Sequence, residues 1–199
     1  MMTTTTEEPL DVHDAATATP PRRIAVVGTS GVGKTTLSRS ISRVLGIPHI
    51  ELDALHWGPD WTPTPEDELR KTVDVATRQP AWVCDGNYIL VRDLIWSRAD
   101  TLVWLDYSFS RTFWRVLRRT VRRAYSQEEL FSGNRESWKQ SFASRDSILW
   151  WMISTWRRRR REFLVEMARP ENAHLDVRIH RVPAETRRWL EALEDQARH

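Results

Sequence analysis

The chain has 199 residues, of which 40% are hydrophobic and 29% charged, and its net charge is +3. This length and composition predict one globular domain and exclude collagen-like and low-complexity chains. The single cysteine, Cys84, excludes an internal disulfide framework and favours a reducing, cytoplasmic location. The apolar stretch 148–156 is too short to cross a bilayer, so we expect no membrane partner.

Five short apolar runs, separated by longer helical patterns, predict a regular alternation of strands and helices. Residues 1–21 precede them, are rich in Thr, Ala and Pro without periodicity, and predict a disordered tail. The predicted strands are 24–27, 49–52, 82–84, 102–105 and 177–182. The predicted helices are 34–45, 64–78 (with Thr64 as N-cap), 88–97, 110–124, 148–167 and 183–196. Residues 22–199 are therefore expected to form one α/β domain, a three-layer sandwich with a five-stranded parallel sheet.

The polar segment 124–148 interrupts this alternation, with Gly and Asn near its middle. A polar segment of this length inside a compact domain is typical of a lid or a functional loop.

The sequence GTSGVGKTT follows the first predicted strand and opens the first predicted helix. It matches the phosphate-loop pattern G-x-x-x-x-G-K-[ST] in full. Glycines permit a backbone whose N–H groups point at phosphate oxygens, Lys34 reaches the β- and γ-phosphates of ATP, and the Thr35 hydroxyl is a ligand for Mg²⁺. The residues predicted to bind the nucleotide are Gly28, Ser30, Gly31, Val32, Gly33, Lys34, Thr35 and Thr36.

Three further stretches carry a family resemblance: LDALHW at 52–57, DGNY at 85–88, and the arginine-rich helix after LVWLDY. With the phosphate loop, they resemble the adenylate-kinase-like and shikimate-kinase-like small-molecule kinases, and among these the topology modulation (adenylate-kinase-related) proteins. The resemblance implies a P-loop NTPase fold of the nucleoside monophosphate kinase type. It also implies an acceptor-binding segment at about 53–80 and an arginine-rich helical lid at about 118–161.

The resemblance also implies roles for two aspartates that follow predicted strands. Asp53 takes the position that contacts or deprotonates the acceptor, and Asp85 takes the second Mg²⁺ position, where a carboxylate acts through water. Asp53 also fits a helix cap and Asp85 a simple turn, and the two roles could be exchanged. The residues predicted to contact the acceptor are Asp53, His56, Trp57, Asp85, Asn87 and Arg92, with Arg92 meeting an acceptor anion; Trp57 fits plain packing equally well.

Arginines form a stripe on the helix after the fourth strand, at positions 111, 115, 118 and 122. The opposite side is apolar, which predicts that it faces the core and that the stripe carries no interleaved aromatic side chains. The resemblance places Arg115 over the adenine and Arg119 at a phosphate in the lid, joined by Arg122; Lys34, Asp53, Arg119 and Arg122 are the predicted catalytic set. A solvated basic face is the alternative interpretation of the stripe.

Residues 157–161 are five successive arginines that point all around a helix, so they cannot all reach one ligand. Arg157 and Arg161, at i and i+4, are the pair expected to return to the phosphates.

Two functions follow from these patterns. The first is transfer of the γ-phosphoryl group of Mg-ATP to a small-molecule, nucleoside or nucleotide acceptor, by a monomer or homodimer. The second is a nucleotide-dependent regulatory or nucleic-acid-associated protein, suggested by the basic runs. The expected lack of aromatic side chains that could stack on bases favours the first.

Overall fold

The computed structural model describes residues 20–126 and 148–198. Within them, five parallel strands form one sheet with the order β2-β3-β1-β4-β5. The strands are β1 (Arg23–Gly28), β2 (His49–Glu51), β3 (Trp82–Asp85), β4 (Thr101–Leu105) and β5 (Asp176–His180). The helices are α1 (Lys34–Leu45), α2 (Leu52–His56), α3 (Glu66–Thr77), α4 (Ile89–Trp96), α5 (Phe109–Ser126), α6 (Ile148–Met167) and α7 (Pro183–Arg198).

The two faces of the sheet are covered by different helices, because successive strand side chains point to opposite faces. Ile24 and Val26 of β1 belong to the core on the side of α1 and α7, with Ile41 and Leu193. The next residues along β1 belong to the second core, together with buried residues of α3, α4 and α6. That second core includes Ala25, Val27, Leu69, Val73, Val91, Trp96 and Phe163. The predicted three-layer α/β sandwich with a five-stranded parallel sheet is confirmed.

The predicted element boundaries agree with the structure to within two residues, and α1 and α6 begin and end at the predicted residues. The N-cap prediction for α3 is wrong: the Thr64 hydroxyl donates to the Leu55 carbonyl at 2.8 Å, and Pro65 occupies the cap position. The short helix α2 was not predicted, because residues 52–56 are too few to show a helical period. Residues 1–19 of the predicted tail and 127–147 of the predicted lid lie outside the described residues.

In the described part of the chain, no helix is long and apolar enough to cross a membrane.

Gly86 joins β3 to the segment before α4 in a backbone conformation with φ of +147°. A Cβ atom at this position would lie 2.7 Å from both Cβ and Cδ1 of Leu52, at the start of α2. Gly86 therefore lets the ends of β2 and β3 approach each other closely.

We predict that Gly86→Ala lowers the free energy of unfolding by about 3 kcal/mol, since it combines backbone strain with overpacking against Leu52. Urea denaturation measures this change. Gly46→Ala is the matched control, because Gly46 has a φ of +63° and no atom within 4 Å of an added Cβ. It should cost only the strain of the left-handed conformation, about 1–2 kcal/mol. Equal losses in the two variants would contradict the proposed close approach.

Candidate active site

The phosphate loop connects β1, the central strand, to the first turn of α1. Gly28, Gly31 and Gly33 have φ angles of 145°, 75° and 112°, which other residues rarely adopt. Gly33 is the N-cap of α1, so the positive end of the helix dipole faces the loop. The loop thus has the shape and the electrostatics of an anion site.

Asn87 fastens this loop to the end of β3. Its Oδ1 accepts a hydrogen bond from the Gly28 amide at 3.2 Å, and its Nδ2 donates to the Gly28 carbonyl. The amide group predicted to contact the acceptor is therefore engaged with the backbone of the phosphate loop.

Lys34 is the residue of the phosphate loop around which the other charged side chains of the site lie. Its Nζ donates to the Thr29 carbonyl at 3.5 Å. Burial lowers the pKa of Lys34. The carboxylates of Asp53 and Asp85 raise this pKa, whereas the charges of Arg119 and Arg159 lower it further. The structure thus brings together side chains from α1, α2, β3, α5 and α6, three of which were predicted catalytic residues (Lys34, Asp53 and Arg119).

The two aspartates occupy different environments. Asp85, at the end of β3, is only 3% exposed, and its Oδ1 lies 3.0 Å from His49 Nε2. Asp53, in the first turn of α2, accepts a hydrogen bond from the Tyr88 hydroxyl at 2.7 Å. The Trp57 side chain donates in turn to that hydroxyl, and burial raises the pKa of Tyr88, which therefore stays protonated. Tyr88 holds one carboxylate oxygen of Asp53 and leaves the other for a further partner.

Aromatic rings form a wall beside Asp53. The His56 ring lies 4.6 Å from the ring of Trp57 and 4.6 Å from that of Tyr88, measured between centroids. Trp57 also packs edge-on against Trp61 at 5.8 Å. The Thr64 amide donates to the His56 carbonyl at 2.7 Å and closes the loop that carries these rings. Trp57 packs within this wall, as one of its two sequence-based interpretations expects; its contact with an acceptor stays a prediction.

Helix α5 packs across the phosphate loop. A Cβ atom at Gly31 would lie 2.2 Å from Val116 Cγ2, and one at Gly33 would lie 3.0 Å from Arg115 Nη2. Arg115, predicted to cover the adenine, therefore reaches the loop next to Lys34. Arg119, one turn further along, acts on the charge of Lys34.

The predicted core face of α5 is partly confirmed, since Val116 is buried and Phe113 and Leu117 are half-buried, but Phe109 and Val121 are exposed. Thr112 and Thr120 are buried instead. The expectation of a stripe without aromatic side chains is wrong, because Trp114 is 57% exposed and Tyr125 86% exposed. Arg122 lies on the exposed side of α5.

Helix α6 returns to the site through a different pair of arginines from the predicted one. Arg160 Nη2 lies 2.8 Å and Arg160 Nε 3.0 Å from Asp106 Oδ2, at the carboxyl end of β4. Arg159, next to it, acts on the charge of Lys34. Arg157 and Arg161 are exposed. The run of five arginines alone did not show which of them face inward, since that depends on the rotation of α6 about its axis.

Arg92 lies on α4, and its guanidinium group stacks on aromatic rings. The carbon atom of the group lies 5.4 Å from the Trp96 ring and 5.7 Å from the Phe163 ring. The nearest carboxylate oxygen, Glu166 Oε2, is 3.8 Å from Nη1. Arg92 therefore lies between α4 and α6, beside the acceptor segment.

Two side chains at the phosphate loop, Thr35 and Asp85, fit a metal ion bound together with a nucleotide. Within residues 20–126 and 148–198, no group of three or more His, Cys, Asp and Glu side chains is arranged to hold a metal ion. Thr35 lies in the first turn of α1, and Asp85 acts on the charge of the adjacent Lys34. A hydroxyl and a carboxylate at a phosphate loop fit Mg²⁺ held jointly by phosphate oxygens and water.

The comparisons with known proteins agree with this architecture. Residues 24–91, from β1 into α4, match the family described as "ATPase family associated with various cellular activities (AAA)". Shikimate kinase from Bacteroides thetaiotaomicron is similar in structure, with a TM-score of 0.53, 14% identity, and coverage of 90% of this chain and 99% of that chain. No curated protein sequence matches the chain.

Two further solved structures are more distant. Shikimate kinase from Aquifex aeolicus has a TM-score of 0.48 and 16% identity, with 88% of this chain and 98% of that chain covered. A gluconokinase from Sinorhizobium meliloti has a TM-score of 0.46 and 18% identity, with 89% and 92% covered.

The chain has the P-loop NTPase fold. The family match covers less than half of the chain, and the identities are low, so these comparisons establish the fold and leave the reaction to the residues of the site.

Sequence reasoning missed four side chains that shape this site: His49, Tyr88, Asp106 and Arg159. Tyr88 ends the quoted motif DGNY and Asp106 lies within the quoted run LVWLDY, so their places just after strands were readable. Their partners could not be read from the sequence. Tyr88 contacts Asp53, 35 residues away, and Asp106 contacts Arg160, 54 residues away.

We predict that Arg160→Gln lowers the free energy of unfolding by about 1–3 kcal/mol, because it leaves the nearly buried Asp106 carboxylate without its cation. Amide hydrogen exchange in the second half of α6 should become faster. Arg158→Gln is the control, since the ion partner of the exposed Arg158 within the described residues is the partly exposed Glu162, at 3.4 Å, and the change should cost less than about 0.5 kcal/mol. Unchanged exchange in Arg160→Gln would show that the Asp106 contact does not anchor α6.

Proposed function

We propose that this protein transfers the γ-phosphoryl group of ATP to a hydroxyl group of a small-molecule, nucleoside or nucleotide acceptor. The observation that carries the proposal is that charged side chains from several helices and a strand lie around Lys34. A glycine loop, two carboxylates (Asp53 and Asp85) and two arginines (Arg119 and Arg159) surround the ammonium group of the partly exposed Lys34. Such an arrangement is suited to positioning a triphosphate and stabilising the charge that develops during transfer.

In this mechanism the loop amides and Lys34 hold the β- and γ-phosphates of ATP, and Arg115 covers the adenine. The acceptor oxygen attacks the γ-phosphorus in line, and the bond from that phosphorus to the β,γ-bridging oxygen breaks, so the electron pair leaves with ADP. Arg119 and Arg159 stabilise the charge on the transferring group. When bound with ATP, Mg²⁺ would neutralise phosphate charge; Thr35 directly and Asp85 through water are the residues that would hold it.

The surroundings of the two aspartates support a different role for each. Asp53 has one oxygen fixed by Tyr88, beside the aromatic wall, and is placed to accept the proton of the acceptor hydroxyl. Asp85 is buried against His49, which suits a carboxylate that orders water around a metal. These surroundings support Asp53 as the acceptor base and Asp85 as the metal-site carboxylate, the assignment that the resemblance implies.

A second candidate function is binding of nucleic acid under nucleotide control. The exposed rings of Trp114 and Tyr125, on a helix whose residues 109–126 include six arginines and no acidic residue, favour it. Affinity for an oligonucleotide that falls steeply with added salt would distinguish it from small-molecule phosphotransfer.

We predict that Lys34→Ala reduces phosphoryl transfer on the order of 1,000-fold, because the charge next to the transferring group is lost. Transfer is measured with Mg-ATP and a mixture of hydroxyl acceptors. The control is Lys71→Ala, which removes an exposed lysine of α3 and should leave transfer unchanged. Normal transfer by a folded Lys34→Ala variant would exclude the phosphate loop as the ATP site.

We predict that Asp53→Asn reduces kcat by roughly 100-fold to 10,000-fold, the range for loss of a general base. The affinity for Mg-ATP, measured by calorimetry, should change less than about twofold, since Asp53 contacts the acceptor in this mechanism. A large loss of Mg-ATP affinity instead would assign Asp53 to the metal and reopen the role of Asp85.

A further inference from the structure

Helix α5 presents an exposed stripe of arginine and apolar side chains, here called the α5 stripe. Its members recur at spacings of 3, 4, 3 and 4 residues, so they follow one line along the helix. They are Arg111, Trp114, Arg118, Val121 and Tyr125, and all five are exposed. The stripe lies on the side of α5 opposite Val116, which packs on Gly31 of the phosphate loop. An exposed apolar surface bordered by charges is typical of an interaction site.

The charge of the α5 stripe selects an acidic partner. Residues 109–126 contain six arginines and no acidic residue. On α6, by contrast, carboxylates of the helix pair with arginines: Arg158 lies 3.4 Å from Glu162, and Arg169 lies 3.0 Å from Glu166. A second copy of the stripe would bring arginines against arginines, and like charges across an interface are repulsive. The stripe therefore disfavours self-association and favours a partner that carries carboxylates next to apolar groups.

A segment of this composition precedes β1 in the same chain. Residues 7–14 read EEPLDVHD and contain four acidic residues, two aliphatic residues and no lysine or arginine. Alternate side chains of an extended peptide point the same way, so one side of such a peptide would present Glu8, Leu10, Val12 and Asp14. Two acids would then flank two aliphatic groups, which matches the mixture of arginine and apolar groups on the α5 stripe.

The acidic segment is close enough along the chain to reach α5. Glu7 is 13 residues before Pro20, a distance of up to about 43 Å in an extended chain. Pro20 precedes β1 at the amino edge of the sheet, whereas α5 begins beyond the carboxyl edge, after the end of β4. The path is about 20 Å along the six residues of β1 and about 10 Å across one helix. The reach exceeds the path, and tethering gives the segment a local concentration of roughly millimolar order.

We propose that the acidic segment 7–14 docks on the α5 stripe. Its carboxylates pair with Arg111 and Arg118, and its aliphatic side chains lie against Trp114 and Val121. The docked segment leaves Arg115 in its place at the phosphate loop. It covers the face of α5 that the second candidate function would offer to nucleic acid, so it acts as a tethered competitor of polyanions. The inference does not depend on the proposed phosphotransfer.

The first experiment locates the segment in the full-length protein by paramagnetic relaxation in NMR. A spin label is attached to the variant Thr5→Cys, while Cys84 stays unlabelled because it is buried. Amide signals of residues 111–125 should be the most strongly broadened among the described residues. The broadening should weaken as salt is added, because exposed ion pairs are screened. Broadening concentrated on another surface, or absent throughout, would overturn the inference.

Charge variants of the spin-labelled protein test the pairing. Neutralising all four acids should abolish the broadening of α5 without altering any described residue; the changes are Glu7→Gln, Glu8→Gln, Asp11→Asn and Asp14→Asn. The pair Arg111→Glu and Arg118→Glu should abolish it as well, since acid then faces acid. The pair Arg157→Glu and Arg161→Glu, on exposed positions of α6, is the matched control and should leave it unchanged. Circular dichroism shows whether each variant is folded. Broadening that survives the loss of all four acids, or that the α6 control removes equally, would overturn the pairing.

The last experiment tests the other occupants of the stripe. Single-stranded oligothymidylate, or vesicles of phosphatidylserine and phosphatidylcholine, is added at micromolar concentration and physiological salt to the spin-labelled protein. The broadening of α5 should persist, because the tethered segment has the higher local concentration. Displacement by the oligonucleotide would assign the stripe to nucleic acid, and displacement by vesicles would assign it to a membrane surface. Either result would overturn the inference, as would a dimer in sedimentation that Trp114→Ser abolishes.

Discussion

The central position of β1 in the parallel sheet is the constraint on which the candidate site depends. Since β1 pairs with β3 on one side and β4 on the other, the phosphate loop, Asp85 and Asp106 all leave the same edge of the sheet. The Asn87 amide then ties the start of the loop to the end of β3, and Arg160 ties α6 to the end of β4. Segments distant in sequence are thereby held around Lys34.

Among the described residues around this edge, cations outnumber the carboxylates that face them. Lys34 has Asp53 and Asp85 nearby, but Arg119 and Arg159 oppose their effect on its pKa, and Arg115 lies against the same loop. The cost of holding several cations together falls when a polyanion binds, so the arrangement is suited to a triphosphate.

The fold and the phosphate loop were predictable from the sequence because both depend on local patterns. Strand and helix periods fixed the sheet, and the spacing of glycines with Lys34 and Thr35 fixed the loop. The orientation of α5 and α6 was only partly predictable, because it depends on contacts between segments distant in sequence, such as that of Val116 with Gly31. For the same reason the sequence suggested Arg157 and Arg161, whereas in the structure Arg160 contacts Asp106 and Arg159 acts on the charge of Lys34. Tyr88 illustrates a third case, in which the residue lay in a recognised motif but its partner, Asp53, is brought to it only by the pairing of β2 with β3.

The measurement that tests the central claim most directly is the fate of the γ-phosphorus of Mg-ATP, followed by ³¹P NMR in a mixture of sugars, sugar acids, nucleosides and nucleotides. The account predicts that the signal of the γ-phosphate is replaced by that of a phosphate ester on one acceptor class, faster than inorganic phosphate appears. Formation of inorganic phosphate alone, at a rate that no acceptor alters, would contradict phosphoryl transfer and indicate that the site binds or slowly hydrolyses the nucleotide.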